Sequence, residues 1–172
     1  AGADRPSIMV GSTFVQIKTD FSSDLGPALD SSMADDWRVI PHFYYVQPVS
    51  KDWTAMLSIN APYGLITEWP STWAGSPAAI WSELATIYTT PSMAYRINEQ
   101  VSLSAGINVV YADAKLTAFR GPLGNREVTG DDFGFGYTAS GHYQMHEDWA
   151  VGLRYQSKVE IEPEGKITYD ND

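Results

Sequence analysis

Histidines, a carboxylate pair, a glycine-rich run and a few isolated cations are the residues of this sequence that could do chemistry, and their spacing allows little of it. His42, His142 and His146 are the three histidines. No interval among them matches a metal or metalloprotease motif, so strand-wall and turn positions are expected for them. Asp131 and Asp132 are adjacent carboxylates, but neighbours on a strand point to opposite faces, which favours a loop-end turn role over acid–base work. The run Gly134-Phe135-Gly136-Tyr137 resembles a phosphate loop only superficially, because a strand follows where a helix is required. The absence of cysteine excludes thiolate metal sites, disulfides and a cysteine nucleophile. No trio of nucleophile, base and orienting group can be assembled, so the sequence reads as a non-enzyme that requires no cofactor.

Binding chemistry is better represented. Arg154 and Lys158 share one face of an expected strand with Gln156, and Arg96 lies on the same face of its own strand. Such cations either pair with carboxylates and a plug inside a lumen or meet a carboxylate headgroup in transit. Glu160, Glu162 and Glu164 alternate at a strand end and read as a solvated rim. The stretch from Pro62 to Ser82 carries Tyr63, Leu65, Ile66, Trp69, Trp73, Ile80 and Trp81, too apolar a load to face water. Packing on a neighbouring loop and formation of a greasy groove that captures apolar molecules are the two readings. With 21 acidic against 11 basic residues the formal charge is −10, which argues against nucleic acid as a partner.

The elements that must position these residues are strands. From Val101 to Asp113, Val101, Leu103, Ala105, Ile107, Val109 and Tyr111 alternate with Ser102, Ser104, Gly106 and Asn108, a period of two that a helix cannot present. Nine to eleven such residues suffice for a tilted strand to cross a bilayer, whereas strands of soluble sheets average about five or six. The same pattern predicts strands at 7–18, 37–47, 53–61, 84–97, 133–145 and 149–159, with an eighth beginning at Gly165. Pro41 and Pro91 interrupt two of them. Short turns at 48–52, 98–100 and 146–148 alternate with expected long loops at 20–36, 62–82 and 116–132, so the strands form an up-and-down meander. Trp53, Val101 and Trp149, each opening the strand after a short turn, recur every 48 positions, a hairpin-sized repeat. Trp37, Trp53 and Trp149 with Tyr45, Tyr95 and Tyr143 would form an aromatic girdle.

The fold class is therefore all-β, an antiparallel up-and-down transmembrane β-barrel, with residues 1–172 forming part of that one domain. The competing reading is a soluble sandwich or lipocalin-like barrel that binds lipid or carbohydrate, with its apolar face inward. The composition of the second face, Gly, Ser, Thr, Asn, His, Gln, Arg and Lys, suits a wet lumen and favours the membrane. A structural outer-membrane barrel without transport is a third reading.

The segments VIPHFYYVQPVSKDW, INAPYGLITEW, PSMAYRINEQVSLSAGINVVYADAK and VTGDDFGFGYTASGHYQMHEDWAVGLRYQSKV resemble strands and turns of the FadL family, outer-membrane transporters of long-chain fatty acids and aromatic hydrocarbons in Gram-negative bacteria. The resemblance covers nearly the whole chain from about Arg5. It implies a fourteen-stranded barrel, an N-terminal hatch plugging the lumen, hydrophobic small molecules as substrates carried by passive diffusion, contact with outer-membrane lipid and lipopolysaccharide, and a side opening near a kinked strand. Seven strands and the start of an eighth are about half of such a barrel, and no hatch segment precedes the first. An excerpt of a longer protein, a portion that lost its remainder and a small eight-stranded relative are the alternatives. An open half sheet in lipid would leave edge amides unpaired.

Asn60, Ala61, Pro62 and Gly64 mark the place where such an opening would lie. Pro62 has no amide hydrogen for a ladder and Gly64 relaxes the backbone, so the strand from Trp53 should lose regular pairing here. The simpler alternative is a strand end at the interface.

Overall fold

A computed structural model describes residues 5–121 and 124–170. Its strands are β1 (Ser7–Gln16), β2 (Asp20–Phe21), β3 (Ser31–Ser32), β4 (Trp37–Pro48), β5 (Trp53–Asn60), β6 (Gly64–Glu68), β7 (Trp81–Arg96), β8 (Val101–Phe119), β9 (Asn125–His146), β10 (Trp149–Gln156) and β11 (Glu164–Asp170). One antiparallel sheet runs β1-β4-β5-β7-β8-β9-β10, with β6 also paired to β7 and β11 also paired to β9. β2 and β3 form a separate small hairpin.

The sheet is curled, and sequence parity sets its two faces. Large apolar residues exposed on the convex face are odd-numbered from β4 to β10: Trp53, Ile87, Leu103, Ile107, Phe135, Trp149 and Leu153 among them. Thr54, Thr86, Thr90, Ala94, Ser102, Asn108, Val110 and Thr138, all even, are buried on the concave face. An apolar convex face with a small and polar concave one inverts the arrangement of a soluble sandwich and matches a wall between lipid and a wet lumen. In β1 the parity is exchanged, because Ile8, Val10 and Phe14 stand opposite Tyr45, Phe43 and Val39.

Local chemistry fixes the short turns. Ser50 Oγ accepts the amide hydrogens of Asp52 and Trp53 at 3.3 and 3.1 Å. Asn98 Oδ1 accepts those of Gln100 and Val101 at 2.9 and 2.7 Å, an Asx turn that starts β8.

Three expected boundaries move. The supposed loop 116–132 is mostly strand, since β8 continues to Phe119 and β9 starts at Asn125. The chain reverses between them, where Gly121 and Gly124 take positive φ of 62° and 74° and the Arg120 amide donates to the Gly124 carbonyl at 2.9 Å. Pro122 of that expected loop lies outside the described residues. Asp131 and Asp132 are thus within β9 instead of at a loop end. Alternation fades here because no lipid-facing row is required once a strand leaves the hydrocarbon, while the ladder persists and gains the 2.8 Å Lys115–Glu127 ion pair. The supposed loop 62–82 contains β6 and ends as Trp81 opens β7. The strand expected to reach Val159 stops at Gln156.

Candidate functional site

The wall is broken at the residues around Pro62. The β4–β5 ladder ends at the pair His42–Asn60. Beyond it, β4 from Trp37 to Pro41 pairs only with β1, and β6 pairs only with β7. Pro41 and Pro62 stand just past the last rung, and neither has an amide hydrogen with which to continue it.

β6 does not simply prolong β5. Asn60 is opposite Tyr88, but Gly64 is opposite Ala85, so four steps along this strand match three along β7. One extra residue is a bulge, and it exchanges the faces of everything that follows. Leu65 pairs with Leu84 on the concave side, whereas Ile66 pairs with Glu83. The bulge is held by the Tyr63 carbonyl, which accepts from the Thr86 amide at 3.2 Å and from Thr86 Oγ1 at 2.6 Å. The gap closes again at its outer end, where the Ala34 amide donates to the Glu68 carbonyl at 2.8 Å and the Arg38 guanidinium lies 5.8 Å from the Trp81 ring centroid.

A cavity of about 310 Å³ opens on the concave side of the break, lined by Asn60, Ala61, Pro62, Ile40, His42, Tyr44, Tyr88, Thr90, Arg154 and Gln156. Curling of the sheet therefore brings β10 across the lumen to face β4 and β5. Arg154 donates from Nε to Thr138 Oγ1 at 3.2 Å and from its terminal nitrogen to Gln156 Oε1 at 3.3 Å, both neutral partners. Its positive charge faces the cavity. Lys158 does not join it: the side chain is 80% exposed and pairs with Glu160 at 2.8 Å. Arg96 lies at the short-turn end, lining another cavity with Lys51, Asp52 and Glu99.

Above the break, Trp69 and Trp73 stack with ring centroids 4.6 Å apart, and Phe21 of β2 meets Trp73 edge-on at 5.7 Å. Trp73 Nε1 donates to the Ala79 carbonyl at 2.9 Å, and Trp81 Nε1 to Glu83 Oε2 at 3.2 Å. The apolar segment thus packs on the β2–β3 hairpin. That hairpin is tied down by the Lys18–Asp35 pair, whose hydrogen bond and charge hold the Lys18 pKa above its ordinary value. Tyr63 and Leu65 are 57% and 51% exposed at the margin of the gap. Ile66 and Ile80 are half-buried. Sequence reasoning missed His42, Tyr44 and Tyr88 as cavity residues. Even numbering of all three was the available signal. Among the described residues no cluster of His, Asp and Glu could hold a metal ion.

Residues 2–172 match the family model described as outer membrane protein transport protein (OMPP1/FadL/TodX). The chain is 28% identical over 191 residues to the long-chain fatty acid transport protein of Salmonella typhi, covering 97% of the chain and 44% of the relative. For the protein of that description in Escherichia coli K12 the figures are 26% over 202 residues, 97% and 45%. The chain thus spans a little under half the length of these relatives. A crystal structure of a Pseudomonas aeruginosa FadL homologue superposes with a TM-score of 0.78 at 15% identity, over 98% of the chain and 47% of the neighbour. That of the Ralstonia pickettii toluene transporter TbuX gives 0.74 at 15%, over 97% and 52%.

Proposed function

The chain belongs to the outer membrane protein transport family (OMPP1/FadL/TodX), and from that membership we propose that it is part of a barrel through which hydrophobic molecules diffuse passively across the outer membrane, leaving sideways between β4 and β6. It is an outer-membrane protein of a Gram-negative bacterium, and its sheet, curled into half a barrel, has the fold of the transmembrane barrels it superposes on. Long-chain fatty acids and aromatic hydrocarbons are the substrate classes, drawn from relatives whose names specify fatty acid or toluene. Catalysis has no part in this reading. The rest of the barrel and a hatch lie in the remainder of the full-length protein, and membrane lipid with lipopolysaccharide surrounds it.

The observation that carries the reading is the loss of pairing beyond His42–Asn60 directly beside a cavity. Unpaired backbone at membrane depth is tolerated only where it is buried in protein or lines a cavity. A molecule captured near Tyr63, Leu65, Ile66, Trp69, Trp73, Ile80 and Trp81 would descend past Arg154, which attracts a carboxylate if one is present. Lys158, at the rim with Glu160, contributes long-range charge at most. The molecule would then leave at Asn60, Ala61, Pro62 and Gly64 without returning to water.

Removing the bulge tests this in the full-length protein. Deleting Ala61 together with Pro62→Val restores the donor missing at position 62 and the continuous register. Uptake of a labelled fatty acid by cells should fall while surface capture persists. Parental uptake, with the strand verified as straightened, would place the exit elsewhere.

A further inference from the structure

The wall has a second break, on the far side of β9. Gln156 of β10 is opposite Thr138 and Glu164 of β11 is opposite Asp131, so residues 157–163 run past residues 132–137 without forming a ladder. The intervening strap leaves the sheet inward. A Cβ on Gly134 would lie 2.5 Å from Val159 Cγ1 and 2.8 Å from the Glu160 carbonyl oxygen. One on Gly136 would lie 2.8 Å from both Ser157 Oγ and Val159 Cγ2. Both glycines are on the even, concave face, so the strap lies inside the wall and the plane beside Phe133, Phe135 and Tyr137 is vacated.

Side chains finish the edges of this gap. The Ser157 amide donates to the Tyr137 carbonyl at 2.9 Å, and the Tyr137 amide donates in return to Ser157 Oγ at 2.9 Å. At the other end the Asp132 carboxylate accepts from the Phe133 amide at 2.7 Å and, across the gap, from the Glu162 amide at 2.8 Å. The Tyr137 amide and carbonyl and the Phe133 and Glu162 amides, which border the gap, thus have partners without a strand in the plane.

The two breaks share one ladder row. Asn60 is opposite Tyr88, Tyr88 opposite Val110, and Val110 opposite Gly134. Nine residues separate Val101 from Val110, so on β8 this row lies roughly 23 Å above the short turn for a strand tilted about 40°, near the outer margin of the hydrocarbon band.

We propose that the in-plane position beside β9 that the Ser157–Pro163 strap has left is a second side window, through which an apolar small molecule passes between lumen and bilayer. This rests on the lateral-exit reading above. Phe133, Phe135 and Tyr137, each more than half exposed on the convex face, supply an apolar frame, and Val159 and Ile161 an apolar inner lip. The glycines make room for the strap to stay inward.

Blocking after folding tests the window without asking a variant to refold. In the full-length protein, made otherwise free of cysteine, Phe135→Cys is labelled in the membrane with a bulky lipid-soluble maleimide. Leu153→Cys, equally convex but where β10 stays paired with β9 through Gly141, receives the same label. Uptake of a labelled fatty acid should fall for the Phe135→Cys adduct and stay parental for the Leu153→Cys adduct. Parental uptake with the Phe135→Cys adduct, or an equal fall at both positions, overturns the second window. The Ala61 deletion with Pro62→Val, assayed alongside, reads the first window separately: a fall there with no effect at Phe135→Cys leaves one exit, between β4 and β6. No effect from either block defeats lateral exit itself.

Discussion

Thr90 on β7 donates its hydroxyl hydrogen to Asn108 Oδ1 on β8 at 2.9 Å, with both side chains buried on the concave face, while Asn108 Nδ2 has no hydrogen-bond partner. A half-satisfied buried amide is sensitive to which partner is removed. Thr90→Val leaves both ends of the amide unmatched and should cost about 1–3 kcal/mol. Asn108→Leu removes the amide itself and should cost less. Heat-modified migration of the full-length protein in detergent reads both. If Asn108→Leu melts first, the accounting of this pair is wrong.

Facing in the wall is checked by a neighbouring pair of positions. Leu103 is 51% exposed on the convex face, whereas Ser104 shares a 2.7 Å hydrogen bond with Ser140 on the concave one. A nitroxide at Leu103 should be relaxed by oxygen dissolved in the bilayer, and one at Ser104 by a water-soluble nickel chelate. Reversed accessibilities would turn the sheet inside out.

The tryptophans above the first break should separate by function. Trp73 joins Trp69 and Phe21, so Trp73→Ser loosens the capture segment and should weaken surface binding of a fluorescent fatty acid, each lost aromatic contact being worth about 0.5–1.5 kcal/mol. Trp81 instead meets Arg38 across the outer end of the gap. Trp81→Ser should weaken capture less than Trp73→Ser does and should also alter the rate of uptake. Equal loss of capture in both variants would show that the two rings act as one surface.

Period two was readable because one face of each strand must meet lipid, and that constraint placed β4, β5, β8, β9 and β10 and their facing. It stops operating where the constraint stops. Lys115 to Phe119 and Asn125 to Asp132 need no lipid-facing row, so hydrogen bonding and the Lys115–Glu127 ion pair, which leave no period-two mark, keep them in strands. β6 was hidden by the bulge after Asn60: its own alternation is exchanged relative to β5, and it reads as an apolar loop. Pro62 could be singled out as a ladder breaker from chemistry alone. Arg154 could be placed on the inner face by parity, but its position across the lumen from Asn60 depends on curvature. The strap over Gly134 was beyond reach for the same reason, since a register shift on one edge of β9 appears in no single residue.

β8 and β9 stay paired from Val101–Tyr143 to Phe119–Asn125 without a slip, and about half of that length stands beyond the row through Val110, roughly 23 Å at the same tilt. The protruding and embedded halves are therefore one stiff beam. Whatever grips its tip, near Arg120 and Gly124, holds a handle whose fulcrum is the row shared by both breaks. A torque applied at that tip would thus be delivered to the two places where the wall has no ladder to resist it.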